Sequence, residues 1–240
     1  MLDRVRGRRP RARSRCWAST PSRTEPARSS GTNYVARSTG LYRGLSVADH
    51  LELAGTLRKG FDATEARLRL EQLGIPLRQR AGTLSGGQAS QLALCIALGT
   101  HAPVLLLDEP LASLDPLARH EFLNLLVSVV RERGATALLS SHIVSDVAAA
   151  CDGLVVLGNG RVALQAPITS AVASHRLGVP GAVDPSLVVA TFARPGGEIA
   201  VLLRSEDPSL ATPTLEELVM GYLSAARDVG RPGAPVDRAA

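Results

Sequence analysis

Leu84-Ser85-Gly86-Gly87-Gln88 and, sixteen residues on, Val104-Leu105-Leu106-Leu107-Asp108-Glu109-Pro110 are the two runs whose reading decides the fold. Ser85 with Gln88 three positions later is a capping box, in which each side chain accepts the other residue's backbone N–H. A helix is therefore predicted from Gly86 to about Leu98. The two glycines of its first turn remove side chains where an anion would approach the free N–H groups. Four apolar residues followed by two carboxylates predict a buried strand. It ends where open α/β sheets place their ligands, beyond the C-terminal strand edge.

Upstream, Ser46 and Asp49 form an S-x-x-D opening to a helix over Ser46–Arg58, with Val47, Leu51, Leu53, Ala54 and Leu57 as its apolar positions. A second helix is predicted from Asp62 to Leu73, stopped by Gly74 and Pro76. Downstream, Asp115 caps and Pro116 opens a helix that Gly134 ends after Arg133. A strand over Ala135–Leu139 and a helix over Ile143–Ala150 follow. Strands Leu154–Leu157 and Arg161–Leu164 are then joined by the turn Gly158-Asn159-Gly160. Apolar strands alternating with helices predict an α/β fold whose parallel sheet is covered on both faces. Further on, Leu187–Phe192 and Glu198–Leu203 flank Pro195-Gly196-Gly197 as a second hairpin. Thr214-x-x-Glu217 opens a last helix with Leu215, Leu218, Val219, Tyr222 and Leu223 on one face.

The formal net charge of +5 is unevenly spread. Residues 1–43 hold eleven arginines against Asp3 and Glu25, whereas the other residues hold sixteen basic and twenty acidic side chains. Residues 1–33, rich in Arg, Ser and Pro, bury too little apolar surface to offset their ordering entropy and are expected to be disordered, as is the tail 226–240. Arg4, Arg6, Arg8, Arg9, Arg11, Arg13 and Arg15 suit a nucleic-acid or anionic-lipid arm, but the solvated-tail reading is preferred. No apolar run reaches the roughly 18 residues of a membrane-spanning helix, and no secretory signal pattern opens the chain. Cys16, Cys95 and Cys151 lack metal-type spacing and fit a reducing compartment.

Taken in order, these motifs resemble those of the ABC transporter ATP-binding subunits, over roughly Tyr34 to Leu164. The resemblance implies a P-loop NTPase-type ABC nucleotide-binding domain, with a helical subdomain at about 46–100 inside a partial ATPase domain 34–166. The core would occupy 101–166, with a hairpin-and-helix extension at 167–225. It makes Leu84, Ser85, Gly86, Gly87 and Gln88 the signature pentad and Asp108 the Mg²⁺ residue, acting through water. Glu109 becomes the carboxylate that polarises the attacking water, Asp115 the D-loop residue and His142 the switch histidine toward the γ-phosphate. Arg37 stands at the Q-loop position, where the family carries glutamine, and is counted with the nucleotide-facing residues. The implied cofactors are ATP and Mg²⁺. The implied partners are a membrane subunit and a second ATP-binding subunit, at the inner face of the plasma membrane. The terminal Thr-Leu-Glu segment resembles exporter-type members.

The chain departs from the family in one decisive place. A phosphate loop requires G-x-x-x-x-G-K-[ST], and the only lysine, Lys59, lies after Arg58 and before Gly60 in a helical region. The fold is therefore expected to be incomplete at the N-terminus. Losing a strand and helix removes several core side chains, each worth about 1.5–3 kcal/mol of burial, from a domain whose stability is only about 5–15 kcal/mol. The expectation is a marginal fragment with an uncovered sheet edge that invites association and has no independent ATP hydrolysis. Such a chain is read as a transport ATPase subunit that lost or misread its first third. The alternatives are a binding-only subunit lending its pentad to a partner, and a nucleic-acid-binding protein acting through its basic arm.

Overall fold

Hydrogen bonds between three parallel four-residue strands generate the central sheet. Strands β1 (Thr32–Val35), β2 (Val104–Leu107) and β3 (Thr136–Leu139) are all parallel in the order β1-β2-β3, with Val35, Leu107 and Leu139 in one register row. The computed structural model describes residues 31–37, 40–194 and 196–228. The expected disorder of 1–33 and 226–240 falls largely outside these residues, as do Cys16 and the basic arm. Where the two overlap, the expectation is corrected: Thr32 and Asn33 are strand residues, and the last helix runs on to Asp228. Pairing with β2 decides the first case, since a short polar segment gains its order from a neighbouring strand.

Helix α1 (Val47–Leu57) carries the Ser46–Asp49 capping box, and α2 (Ala63–Gln72) is capped by Asp62. With α3 (Gly86–Gly99) they bury Val47, Leu51, Ala66, Leu70, Ile75, Leu92 and Cys95 in a separate helical core. Helix α4 (Pro116–Arg133) begins at the Asp115 cap and ends at Gly134, whose φ of +62° is the left-handed conformation glycine adopts without Cβ strain. Leu94, Ala97 and Leu98 of α3 meet Phe122, Leu123, Leu126 and Val129 of α4 over Val35, Leu105 and Leu107. One face of the parallel sheet is thereby sealed.

The opposite face is not. Tyr34, Leu106 and Leu138 form one row across the three strands, and Tyr34 and Leu138 are 59% and 61% exposed. The expectation of a sheet covered on both faces is corrected. Among the described residues, both helices packed on this sheet lie on the same side.

Helix α5 (Val144–Ala150) leads to the hairpin β4 (Gly153–Gly158) and β5 (Arg161–Pro167), turned by Asn159 and Gly160, both at positive φ. This hairpin, expected within the ATPase core at 101–166, turns its apolar residues toward a second core. Leu154 and Val156 share a core with Leu177, Phe192, Ala200, Leu202, Leu218 and Tyr222. That core belongs to a second sheet, β6-β8-β7, formed by β6 (His175–Gly178), β7 (Val188–Ala193) and β8 (Ile199–Arg204). It is covered by α7 (Leu215–Asp228), which Thr214 and Glu217 cap reciprocally. Strand β6 and the short helix α6 (Ile168–Ala173) were not anticipated, because His175-Arg176 disguises a strand whose alternate residues are buried.

Candidate functional site

Strand β2 ends by releasing Asp108 and Glu109 into a turn, and four side chains converge on them. Glu109 adopts φ +41°, a conformation that costs a residue with a Cβ about 1–2 kcal/mol. Its N–H donates to Ser140 Oγ at 2.7 Å, and the same hydroxyl donates to Asp108 Oδ1 at 3.0 Å. Tyr34 OH donates to Asp108 Oδ2 at 3.1 Å. This bond to a carboxylate holds the phenol above its usual range, so Tyr34 stays a donor. Register explains the convergence: Val35, Leu107 and Leu139 are aligned, so the residues following them meet at the strand ends.

Glu109 Oε2 lies 3.4 Å from Arg37 Nη1 and 3.5 Å from His142 Nδ1, with no hydrogen bond to either. Asp108, Glu109, His142 and Arg37, from three separate stretches, thus form one charged cluster at the C-terminal sheet edge. Arg37, expected among the nucleotide-facing residues, has its guanidinium beside Glu109. Each Asp108 oxygen accepts one hydrogen bond and keeps a further acceptor position, so the residue suits a water-mediated cation. Sequence reasoning missed Ser140 and Tyr34. Their only signal is strand register, which needs the pairing to be known.

The pentad forms a second site. Ser85 Oγ accepts from Gln88 N at 3.1 Å, and Gln88 Oε1 accepts from Ser85 N at 3.1 Å. The first-turn N–H groups of Gly86 and Gly87 have no intrahelical acceptor, and Ser85 and Gly86 are exposed. A Cβ at Gly86 would lie 3.3 Å from the Ser113 carbonyl oxygen, and one at Gly87 would lie 3.4 Å from Ala118 Cβ. The glycines therefore seat the pentad tightly against the Ser113–Asp115 loop. Asp115 itself caps α4 by accepting from Ala118 N at 2.9 Å. Leu84 is a packing residue of the helical core. Gln91, buried in α3, donates to Glu121 of α4 at 3.1 Å and locks the two helices that carry the pentad and the loop.

A third polar group had no sequence signal. Glu65 of α2 takes ion pairs from Arg69 and from Arg133 at the end of α4, with His101 Nε2 2.9 Å away. Burial pushes the Glu65 carboxyl up, but the two arginines outweigh it and hold it below its ordinary value. Asp62, Glu65 and His101 could bring three ligand atoms together, but two guanidiniums on Glu65 already supply the positive charge a metal would bring.

Lys59 lies in the turn between α1 and α2, remote in topology from any strand–helix junction. Among the described residues, no helix is long and apolar enough to cross a membrane.

A family model described as "ABC transporter" matches residues 11–112. A thiamine import ATP-binding protein of Salmonella choleraesuis is 39% identical over 122 residues, 51% of this chain and 51% of that protein. An aliphatic sulfonates import ATP-binding protein of Rhizobium johnstonii is 42% identical over 130 residues, 52% of this chain and 46% of its own length. ATP-binding cassette sub-family A member 7 of Mus musculus is 38% identical over 133 residues, 53% of this chain and 6% of that protein. The chain spans about half the length of the bacterial relatives it matches. A solved ATP-binding subunit of an ABC transporter superimposes with a TM-score of 0.51 at 27% identity, over 59% of this chain and 61% of that one.

Proposed function

We propose that this chain, which is similar to the ATP-binding subunits of ABC transporters, serves as an ATP-binding subunit that couples nucleotide to transport through a membrane partner at the cytoplasmic face. The observation that carries this reading is the capped, glycine-opened N-terminus of α3, with Ser85 and Gly86 exposed and the pentad braced on the Ser113–Asp115 loop. Such an end favours a phosphate through free N–H groups and the helix dipole. We infer that Ser85–Gln88 serves ATP held by a second ATP-binding subunit, with Asp115 shaping the same face.

At the other site, Asp108 would hold Mg²⁺ through water, and Glu109 with His142 would orient a water molecule for phosphoryl transfer. The sequence offers no G-x-x-x-x-G-K-[ST] to bring phosphates there, and Arg37 pairs with the Glu109 carboxylate. The 240 residues are therefore proposed to bind nucleotide in trans and not to hydrolyse ATP alone. Two relatives are named for import, which favours import over the export expected from the C-terminal helix.

The test mixes the purified chain with a second ATP-binding subunit and follows association by size-exclusion chromatography with light scattering. Mg²⁺-ATP is expected to promote a complex. Ser85→Asp should abolish it while leaving the fold intact, since Asp caps about as well as Ser but opposes an anion. Turnover of ATP by the chain alone, lost in Glu109→Gln, overturns the second half of the proposal.

A further inference from the structure

His50 is buried in the first turn of α1, and both of its ring nitrogens are committed to backbone groups. Tyr42 N–H donates to Nε2 at 3.0 Å, and Nδ1 lies 2.8 Å from the Ser46 carbonyl oxygen. An amide N–H only donates and a carbonyl oxygen only accepts, so the ring carries its proton on Nδ1 and leaves Nε2 bare. The imidazole is neutral in this arrangement. A second proton would set Nε2–H against Tyr42 N–H, two donors face to face, at a site only 5% exposed. The charged groups facing this end of α1 are Asp49, whose carboxylate attracts a protonated ring, and Arg80, which shares that carboxylate. Asp49 Oδ2 is already held by Ser46 N–H at 2.7 Å. Arg43, next to Tyr42 in the chain, adds positive charge on the loop side.

What His50 holds is a turn that touches the approach to the pentad. Leu45 N donates to Tyr42 O at 3.0 Å, and the exposed Tyr42 ring stacks on the imidazole with centroids 6.3 Å apart. On its other side the turn is bonded to the short 3-10 helix Ala81–Thr83. Gly82 N donates to Arg43 O at 3.0 Å, and Ala81 N donates to Leu45 O at 2.9 Å. A Cβ at Gly82 would come within 2.9 Å of Arg43 O, so this seat has no slack. Thr83 runs directly into Leu84, the first residue of the pentad. One imidazole nitrogen thus holds the turn from one side, and the lead-in to the pentad holds it from the other.

We propose that His50 is a proton-sensitive latch on the Tyr42–Leu45 turn. With its ring neutral, it positions the turn against Ala81 and Gly82. With its ring protonated, it loses the acceptor for Tyr42 N–H, and the lead-in to the pentad loosens. The hydrogen-bonded form is the neutral one, so the hold is present at the alkaline side of the histidine range and is lost as pH falls through it. Only the consequence for nucleotide, weaker seating of the pentad on an anion in acid, rests on the reading of Ser85–Gln88 as ATP-facing. The latch itself does not.

The test uses the full chain, without nucleotide or partner. Nuclear magnetic resonance of the His50 ring at about pH 8 is expected to show a proton on Nδ1 and none on Nε2. Between about pH 8 and about pH 5, exchange protection at Tyr42, Ala81 and Gly82, corrected for the intrinsic rate, should fall about 10-fold. Protection at Val47 and Ala48, whose N–H groups donate to Gln79 and Leu77, should hold. His50→Gln, whose amide oxygen accepts at either pH, should keep Tyr42 protected throughout. A proton on Nε2 at the alkaline end overturns the proposal, as does undiminished protection in acid or the same fall in His50→Gln. A fall at Val47 and Ala48 equal to that at Tyr42 also overturns it, since α1 would then be unfolding as a whole. Ser85-dependent association, measured separately at constant pH, judges the pentad reading alone.

Discussion

Arg37 Nη1 lies 3.4 Å from Glu109 Oε2, across the C-terminal ends of the adjacent strands β1 and β2. The carboxylate at the end of β2 thus has a guanidinium neighbour that is itself 67% exposed. An ion pair so exposed contributes about 0–1 kcal/mol. Arg37→Gln is expected to leave the urea midpoint nearly unchanged. Ser140→Ala, which removes one acceptor for Glu109 N–H and one donor to Asp108, should cost more, about 0.5–1.5 kcal/mol. A larger loss in Arg37→Gln than in Ser140→Ala would falsify this ranking.

Backbone strain at Glu109 predicts a trade between stability and chemistry. The residue sits at φ +41°, where Gly escapes a Cβ penalty of about 1–2 kcal/mol but brings about 0.5–1 kcal/mol of extra unfolded-state entropy. Glu109→Gly should therefore leave stability unchanged or raise it by up to about 1 kcal/mol, while removing any Glu109-dependent turnover in an assembled complex. Equilibrium denaturation of the two proteins decides it; a clear loss of stability means the turn is not strained.

Glu65 predicts the acid limb of the stability curve. The arginine hydrogen bonds hold its folded pKa below the unfolded value, against the upward push of burial. A depressed carboxyl contributes stability that is present above the unfolded pKa and is lost as pH falls through the folded one. Glu65→Gln should cost about 1–2 kcal/mol at neutral pH, with the gap to the parent closing as the solution is acidified below the ordinary carboxylate range. Urea titrations at a series of pH values measure it. A gap that persists undiminished at low pH means the charge on Glu65 is not its source.

Cys95 is fully buried in the helical core, and burial pushes its thiol up to about 12. The thiolate is the reactive form. Iodoacetamide at mildly alkaline pH should leave Cys95 unmodified in the folded chain and label it fully in denaturant. Cys151, only half-buried and also shifted upward by burial, should react faster than Cys95. Peptide mapping by mass spectrometry reads both, and early labelling of Cys95 would mean that α1, α2 and α3 open readily.

Local chemistry made much of the fold legible before any coordinates. Ser46 with Asp49, Ser85 with Gln88, Asp115 with Pro116 and Gly134, and Thr214 with Glu217 fix helix ends through hydrogen bonds that span four residues or fewer. All four occur as written in the sequence. The glycine turn at Asn159-Gly160 is equally local. Strand β6 was illegible because its alternating burial depends on α7 and β8 packing around it.

The chain by itself determined the family motifs, their order, and the lack of a G-x-x-x-x-G-K-[ST] among its 240 residues. Tertiary structure alone decided what surrounds them. Register brought Ser140 and Tyr34 onto Asp108 and set Arg37 against Glu109, because residues far apart in sequence become neighbours only when parallel strands pair. The bare side of the sheet was equally a tertiary outcome. Val104–Leu107 and the Ala137-Leu138-Leu139 run are apolar on both faces, and the packing of α3 and α4 on one side selects which face stays open.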